Sequence, residues 1–338
     1  MSKFKRPIYM LSSMLLFGCG GGPDNEVDEH IPRQPFPIEG NINSLASVDG
    51  DFYFVHKQSL YMVEDMNFDA VYCLGHTFEH NGMGQISSTS VYSVDDKLFT
   101  SNGEVYQGYN LVENFAKGYE REPYYLSASS EQSFIIESFW EEQVSYSTDL
   151  NQWHDLYVDK NELPINVRFL QDAQYIYERD TLVTLFDAYT GSGTVNLLLT
   201  YHQDDWQLMQ EDVNGLRLVY VDNTLLFMRN QGIQKLKQDD LSIEQELSID
   251  NLLHFNVHQD SVIFTDGAKN WRLKPSTMTL TEYQLPAEIG MLTGIEHHDE
   301  QTYLSSNKGI WQYDGKQYLQ LYKVEQMASE GCYSPPSQ

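Results

Sequence analysis

Asp222-Asn223-Thr224-Leu225-Leu226-Phe227 is the stretch that decides the fold, because its pattern recurs along the chain. An acidic or amide residue and two polar or small residues precede three residues that favour β-strands. The other copies are Asp49–Phe54, Asp95–Thr100, Glu131–Ile136, Asp172–Tyr177, Gln259–Phe264 and Asp299–Leu304. Successive copies begin 36–50 residues apart, with a mean of about 42. The chain is therefore predicted to be an array of repeated units.

Each unit divides into four short strands separated by turn residues. In the fifth unit we predict strands over Leu216–Val221, Thr224–Arg229, Ile233–Lys237 and Ser242–Leu247. In the seventh we predict Leu292–Glu296, Thr302–Ser305, Gly309–Tyr313 and Gln317–Tyr322. Seven such units predict an all-β, seven-bladed β-propeller of four-stranded antiparallel blades over residues 43–324. One long two-sheet sandwich is the alternative. A helical fold is disfavoured because no long stretch has a 3.6-residue period.

Two segments resemble blades of known propeller families. Ser147-Thr148-Asp149-Leu150-Asn151-Gln152-Trp153 resembles a degenerate Asp-box of sialidase-like propellers, although the usual Gly is absent and Trp153 falls one residue early. Lys308–Lys316 is similar to blades of bacterial sensor-type propellers. Both resemblances cover under a dozen residues. They imply the propeller fold and say little about activity.

Charge restricts the partners of this 338-residue chain. It carries 21 Lys and Arg against 49 Asp and Glu, a net charge of −28. Residues 1–18 hold three basic residues and no acid, so the remainder has 18 basic against 49 acidic residues, or −31. Such a surface repels phosphate backbones, so we expect no nucleic-acid partner. With 41% hydrophobic and 13% aromatic residues, the chain has enough apolar material for a core.

The N-terminus has the parts of an export signal. A basic start is followed by an apolar run from Ile8 to Phe17, which is about ten residues and too short to span a bilayer that needs roughly 20. Leu16-Phe17-Gly18-Cys19 resembles the lipobox of bacterial lipoproteins, although Phe17 departs from the small residue usual there. The resemblance implies that residues 1–18 are a signal peptide and that Cys19 carries acyl chains, with palmitate among them. An ordinary secretory signal is the alternative.

The segments around the propeller complete the predicted organisation. In bacterial lipoproteins, Asp directly after the acylated Cys marks retention in the inner membrane. Gly20 stands at that position here, so the resemblance implies the outer membrane, on its periplasmic or cell-surface side. Residues 19–42 are rich in Gly, Pro and acids and predict a lipidated flexible tether. Residues 325–338 form a C-terminal tail. The protein is thus expected to meet the membrane through its lipid anchor and to be a monomer.

Cysteine and histidine spacing suggests one covalent link and no metal. If Cys19 is acylated, Cys73 and Cys332 form an even pair in an oxidising compartment, so we predict a disulfide across the ring closure, with two free thiols as the alternative. His254 and His258 stand about 13 Å apart along a strand and cannot share an ion. His76 and His80 are expected in a loop next to Gly75, and a zinc site formed by these two imidazoles is the alternative. We predict no metal site and no cofactor.

The sequence predicts no catalytic residues. It has no Gly-x-Ser-x-Gly elbow, Walker loop or dinucleotide fingerprint. Paired acids such as Glu141-Glu142 and Asp204-Asp205 fall at predicted turns, where Asp is favoured for local hydrogen bonds. We therefore expect a non-catalytic, lipid-anchored propeller that binds a protein or glycan on a face of the ring. A secreted carbohydrate-active enzyme, a glycoside hydrolase with acids in its central pocket, is the alternative.

Overall fold

A computed structural model gives the architecture. It describes residues 42–56, 59–76, 91–94, 96–100, 104–114, 125–130, 133–138, 143–147, 154–158, 166–190, 193–211, 213, 217–229, 231–298 and 300–324. These residues form 28 strands in seven antiparallel four-stranded sheets, which are the blades, numbered 1 to 7 in chain order. The predicted all-β, seven-bladed propeller is confirmed.

The strand bounds of the first three blades are β1 (Ile42–Val48), β2 (Asp51–His56), β3 (Ser59–Val63) and β4 (Val71–His76); β5 (Val91–Val94), β6 (Lys97–Thr100), β7 (Glu104–Gln107) and β8 (Asn110–Asn114); and β9 (Tyr125–Ser130), β10 (Ser133–Ser138), β11 (Gln143–Ser147) and β12 (His154–Tyr157). Those of blades 4 and 5 are β13 (Asn166–Ile176), β14 (Thr181–Thr190), β15 (Gly193–His202) and β16 (Asp205–Glu211); and β17 (Arg217–Val221), β18 (Thr224–Arg229), β19 (Gly232–Leu236) and β20 (Ile243–Ser248).

Blades 6 and 7 comprise β21 (His254–His258), β22 (Ser261–Thr265), β23 (Asn270–Lys274) and β24 (Thr279–Glu282); and β25 (Leu292–His298), β26 (Gln301–Ser306), β27 (Gly309–Tyr313) and β28 (Tyr318–Lys323). Short 3-10 turns lie at Glu64–Met66, Tyr177–Arg179 and Pro275–Thr277. Among the described residues, none of the helical segments has the length and apolar content of a membrane-spanning helix.

The hairpin that opens each blade follows from turn chemistry. In blade 5, Val221 pairs with Thr224 across a two-residue turn. Asp222 and Asn223 both have positive φ, 49° and 52°. A two-residue turn with both φ positive matches the right-handed twist of the strands it joins, and Asp and Asn tolerate that conformation. In blades 1, 5 and 6 the first residue of the repeat, Asp49, Asp222 or Gln259, lies in the turn between the first and second strands. In blade 4 the predicted position of the repeat is wrong, because Asp172 lies within β13 and the turn is formed by Tyr177–Asp180.

The sheets pack face to face around a ring. First strands of neighbouring blades contact one another: β1 with β5 and β25, β13 with β9 and β17, and β21 with β25. In the described residues, apolar clusters join blades 1 and 2, 3 and 4, 4 and 5, 5 and 6, 6 and 7, and 7 and 1. A blade thus buries its sheet against its neighbours, which explains why the repeats stabilise one another.

The ring closes without exchange of a strand between the first and seventh blades. Blade 1 holds β1 to β4 and blade 7 holds β25 to β28, each in chain order. The aromatic ring of Phe52 lies 5.1 Å from that of Tyr303, and Phe54 lies 5.8 Å from Tyr322. These rings belong to an apolar cluster shared by blades 1 and 7. Aromatic packing therefore links the two ends of the propeller.

Hydrogen bonds cross the closure in addition to this aromatic packing. The backbone N–H and the hydroxyl of Ser47 donate to Oε1 of Glu296, at 3.0 and 2.6 Å. The hydroxyl of Thr293 donates to the carbonyl of Ile42. Comparable bonds join other inner strands, such as the Leu218 N–H to Asp172 Oδ2 at 2.7 Å. Side chains on one inner strand thus satisfy the backbone of the next.

The predictions for the cysteines and histidines are confirmed only in part. Cys73 lies in β4 and is disulfide-bonded, but Cys332 lies outside the described residues, so their pairing stays a prediction. Cys19 also lies outside them. His254 and His258 bound β21, as the strand prediction requires. His76 was expected in a loop, which is wrong, because it ends β4; His80 lies outside the described residues.

Candidate binding site

One side of the ring, here called the front face, carries the turns between first and second strands and between third and fourth strands of each blade. These turns share a side because successive strands are antiparallel. They hold a series of largely exposed acids: Asp49, Glu64, Asp65, Asp69, Asp96, Glu178, Asp180, Asp204, Asp222, Asp239, Asp240, Asp260, Glu300 and Asp314. Basic residues at the described turns of this face are Arg179, Lys237 and Lys316.

Hydrogen bonds within the turns explain why acidic residues occur at these positions, but they do not neutralise the carboxylates. Oδ1 of Asp314 accepts the backbone N–H groups of Lys316 and Gln317, at 2.8 and 2.9 Å. Hydrogen bonds from Ser242 lower the pKa of Asp240, so this carboxyl stays ionised well below neutral pH. Ion pairs between described residues involve none of the front-face turn acids. The front face is therefore a region of strongly negative potential.

The described connections on the opposite side, the rear face, are more balanced. They carry the acids Asp250, Asp266 and Glu288 beside the bases Lys269 and Lys308. Lys269 is ion-paired with Glu282 at 2.8 Å. The two sides of the described structure thus differ in charge balance.

A cavity of about 480 Å³ opens on the front face between blades 3 and 4. Its size falls within the range of small-ligand sites, roughly 300–1,000 Å³. Blade 3 contributes residues of β11 and β12, and blade 4 contributes residues of β13, β14, β15 and two front-face turns. The lining comprises Tyr146, His154, Asp155, Leu156, Tyr175, Asp180, Leu182, Tyr201, Gln203 and Asp204.

Strand register places the aromatic side chains of this cavity. In blade 4, Tyr175 pairs with Leu182, and Leu182 pairs with Tyr201. Directly paired residues project from the same face of a sheet, so these three form a row towards blade 3. In blade 3, Tyr146 pairs with His154 in the same way. Two cross-strand rows, one from each blade, thus meet at the cavity.

The aromatic rings pack against one another. The ring centroids of Tyr146 and Tyr175 are 5.9 Å apart, with 25° between their planes. Those of Tyr146 and His154 are 5.2 Å apart, at 30°. Behind them, Tyr201 contacts Trp206 at 5.1 Å, and Trp206 is 7% exposed. The aromatic wall is therefore continuous with the core between blades 3 and 4.

Carboxylates hold the phenol groups at the cavity mouth. The hydroxyl of Tyr201 donates to Oδ1 of Asp204 at 2.9 Å, and that of Tyr175 donates to Oδ1 of Asp180. Burial, followed by the bond to Asp204, raises the pKa of Tyr201 to about 12. Burial and the hydrogen bond to Asp180 also raise the pKa of Tyr175. Both phenols are therefore protonated donors at neutral pH, each directed at a carboxylate.

The sequence did not single out these tyrosines. Asp204 was interpreted as a solvated turn residue, and the structure places it both in a turn and at the cavity rim. Tyr146 directly precedes Ser147, which ends β11 and is the first residue of the Asp-box-like segment. Each tyrosine lies at or near a strand end and a few residues before an Asp in the sequence. This pattern is the sequence signal that could have indicated the site.

No protein-family model matches the chain, and no curated protein matches its sequence. Solved structures share the fold. A chain of the mitotic checkpoint complex is 11% identical, with a TM-score of 0.50, covering 88% of this chain and 94% of that chain. Streptogramin B lyase is 10% identical, with a TM-score of 0.44, covering 81% and 93%. The WD40 β-propeller domain of Doa1 is 11% identical, with a TM-score of 0.47, covering 79% and 90%. These likenesses extend to the propeller fold.

The expectation that the chain is not an enzyme is contradicted by these comparisons. Proteins with a similar fold include streptogramin B lyase and, at 12% identity, virginiamycin B lyase from Staphylococcus aureus. A fold does not by itself determine function, so the propeller architecture gives no ground for a non-catalytic assignment.

Proposed function

We propose that this protein is a binding propeller that receives a positively charged protein partner on its front face. The observation that carries the proposal is that the described cavity and the series of acidic turns lie on the same side of the ring. A potential of one sign over a concave region steers oppositely charged partners and sets their orientation. Propellers present such surfaces through loops held by a rigid scaffold.

Binding of a positively charged peptide tests this proposal. Decalysine is expected to bind the full chain more weakly as NaCl rises from 50 to 300 mM, because salt screens the front-face potential. The front variant Asp49→Asn/Asp222→Asn should weaken binding by about threefold. Asn suits both positions because both have positive φ. Fluorescence anisotropy of a labelled peptide measures the affinity.

The matched control removes two charges from the rear face. Asp250 and Glu288 are exposed there, and Asp250→Asn/Glu288→Gln changes the net charge by the same amount. This control is expected to leave decalysine affinity nearly unchanged. Equal weakening by front and rear variants would show that net charge alone attracts the peptide, and the front-face proposal would fall.

We further propose that the propeller is held at the outer membrane by acyl chains on Cys19. Support comes from the sequence: a basic start, a short apolar run and Gly18 before Cys19. Acyl chains anchor because each buried methylene contributes about 0.8 kcal/mol. The acidic tether after Cys19 would then hold the ring away from the lipid surface.

Cys19→Ser is expected to release or misprocess the protein. The substitution removes the thiol that acylation requires, so the mature mass should lose its lipid increment and the protein should leave the membrane fraction. Fractionation and intact-mass measurement check this. A variant that stays membrane-bound with an unchanged acyl mass would contradict the anchor.

Glycoside hydrolysis is a second candidate, favoured by the presence of Asp155, Asp180 and Asp204 in the lining of one cavity. Glycosidases use two carboxyl groups at a set separation in one pocket. Release of chromophore from aryl glycosides, lost in Asp180→Asn or Asp204→Asn, would distinguish this function from binding.

A further inference from the structure

The cavity between blades 3 and 4 has walls of two different kinds. Tyr146, Tyr175, Tyr201 and His154 supply aromatic rings. Asp155, Asp180 and Asp204 supply carboxyl groups around the same space. Its described lining contains neither Lys nor Arg. A ligand there meets π-electron density and negative charge together.

Cations with an apolar surface suit both walls. The face of a tyrosine ring is negative and attracts a cation within about 6 Å, by about 0.5–2 kcal/mol depending on desolvation. The donated hydrogen bonds of Tyr175 and Tyr201 to carboxylates increase the electron density of their rings. Carboxylates at the rim add direct Coulomb attraction in a partly desolvated space. An alkylammonium group makes both kinds of contact.

Other ligand classes fit less well. Anions are repelled by the carboxylates of Asp180 and Asp204. In the described part of the chain, no three His, Cys, Asp or Glu side chains are grouped to hold a metal ion. Neutral sugars stack on aromatic rings but gain nothing from the net charge. The cavity volume of about 480 Å³ also exceeds the volume of a bare ion and leaves room for substituents.

From this geometry we infer that the cavity is a binding site for a substituted ammonium group. The inference rests on the proposed function in using the same face, and it names the chemistry that the face would recognise. The group belongs either to a free organic amine or to a lysine side chain of a bound protein. Both sources present an alkylammonium cation to Tyr146, Tyr175 and Tyr201.

Calorimetric titration of the full chain in non-ionic detergent tests the inference. Choline is the first probe and 3,3-dimethylbutan-1-ol, its neutral isostere, is the second. We expect choline to bind at least about tenfold more tightly than the isostere, because the two differ mainly in charge. Nα-acetyl-lysine methylamide, whose side-chain ammonium group is free, is the third probe. Its affinity relative to that of choline distinguishes a lysine side chain from a free organic amine.

Variants locate the site. Asp180 and Asp204 are exposed, so Asp180→Asn/Asp204→Asn should fold and should weaken choline binding by about tenfold. Tyr201→Leu removes one ring and should also weaken it, whereas the rear-face pair Asp250→Asn/Glu288→Gln should not. Circular dichroism confirms folding of each variant.

Three results would overturn the inference: equal binding of choline and its isostere, unchanged choline affinity in Asp180→Asn/Asp204→Asn, or tighter binding of a methyl glycoside than of choline. The result is separable from that of the proposed function. Choline binding with no front-face preference for decalysine would refute protein docking and keep the cavity site. The reverse pattern would refute the cavity site alone.

Discussion

Phe54→Ala is expected to lower the free energy of unfolding by about 3–5 kcal/mol, the usual range for removal of a buried phenylalanine ring. Phe54 is 0% exposed and lies in β2 of the first blade. Its ring stacks on Tyr61 at 5.1 Å and contacts Tyr322 of the seventh blade at 5.8 Å. The substitution therefore opens a cavity where the two ends of the chain meet.

Chemical denaturation measures this effect, with Leu319→Ala as the matched control. Leu319 lies in β28 of the same closing blade but is 55% exposed, so its removal should change stability by no more than about 0.5 kcal/mol. Hydrogen exchange should also quicken in β1 and β28 of the Phe54 variant. A loss below about 1 kcal/mol would mean that the ring does not depend on this contact.

Acid is expected to destabilise the propeller through His254. Nε2 of His254 is buried and has no hydrogen-bond partner among the described residues. Burial lowers the pKa of this imidazole from 6.5 to about 4, because the charged form loses its hydration. The stabilising contribution of the neutral form is fully present above pH 6.5 and is lost as the pH falls from 6.5 to 4. This difference in pKa between the unfolded and folded states corresponds to about 3 kcal/mol in the free energy of unfolding.

Denaturation curves from pH 7 to pH 4 check this prediction. His254→Gln should lack about 3 kcal/mol of the acid-induced loss that the unmodified protein shows, whatever its stability at pH 7. His202→Gln is the control, since His202 is exposed. Parallel pH profiles for the His254 variant and the unmodified protein would contradict the assignment.

Much of the fold was predictable because each blade repeats the same local chemistry. The predicted Thr224–Arg229 and Gly309–Tyr313 are the observed β18 and β27, and other strands of blades 5 and 7 differ by up to two residues at an end. Turn residues such as Asp222-Asn223 fix the hairpin, and strand alternation fixes the register. His76 was misassigned because its neighbour Gly75 was taken as a loop residue.

The cavity was not predictable, because it depends on contacts between blades. Tyr146 and Tyr175 are 29 positions apart in the sequence and meet because blades 3 and 4 pack together. Each tyrosine alone is an ordinary strand residue. The carboxyl groups of Asp180 and Asp204 were indistinguishable from other turn acids until the structure placed both at one rim.

A crystal structure with bound tetramethylarsonium tests the central claim most directly, because this cation mimics a quaternary ammonium and arsenic gives an anomalous signal. The crystals should be soaked near the measured dissociation constant of choline. We expect an anomalous peak between Tyr146, Tyr175 and Tyr201 that disappears in Asp180→Asn/Asp204→Asn. An empty cavity with peaks elsewhere on the protein would contradict the account.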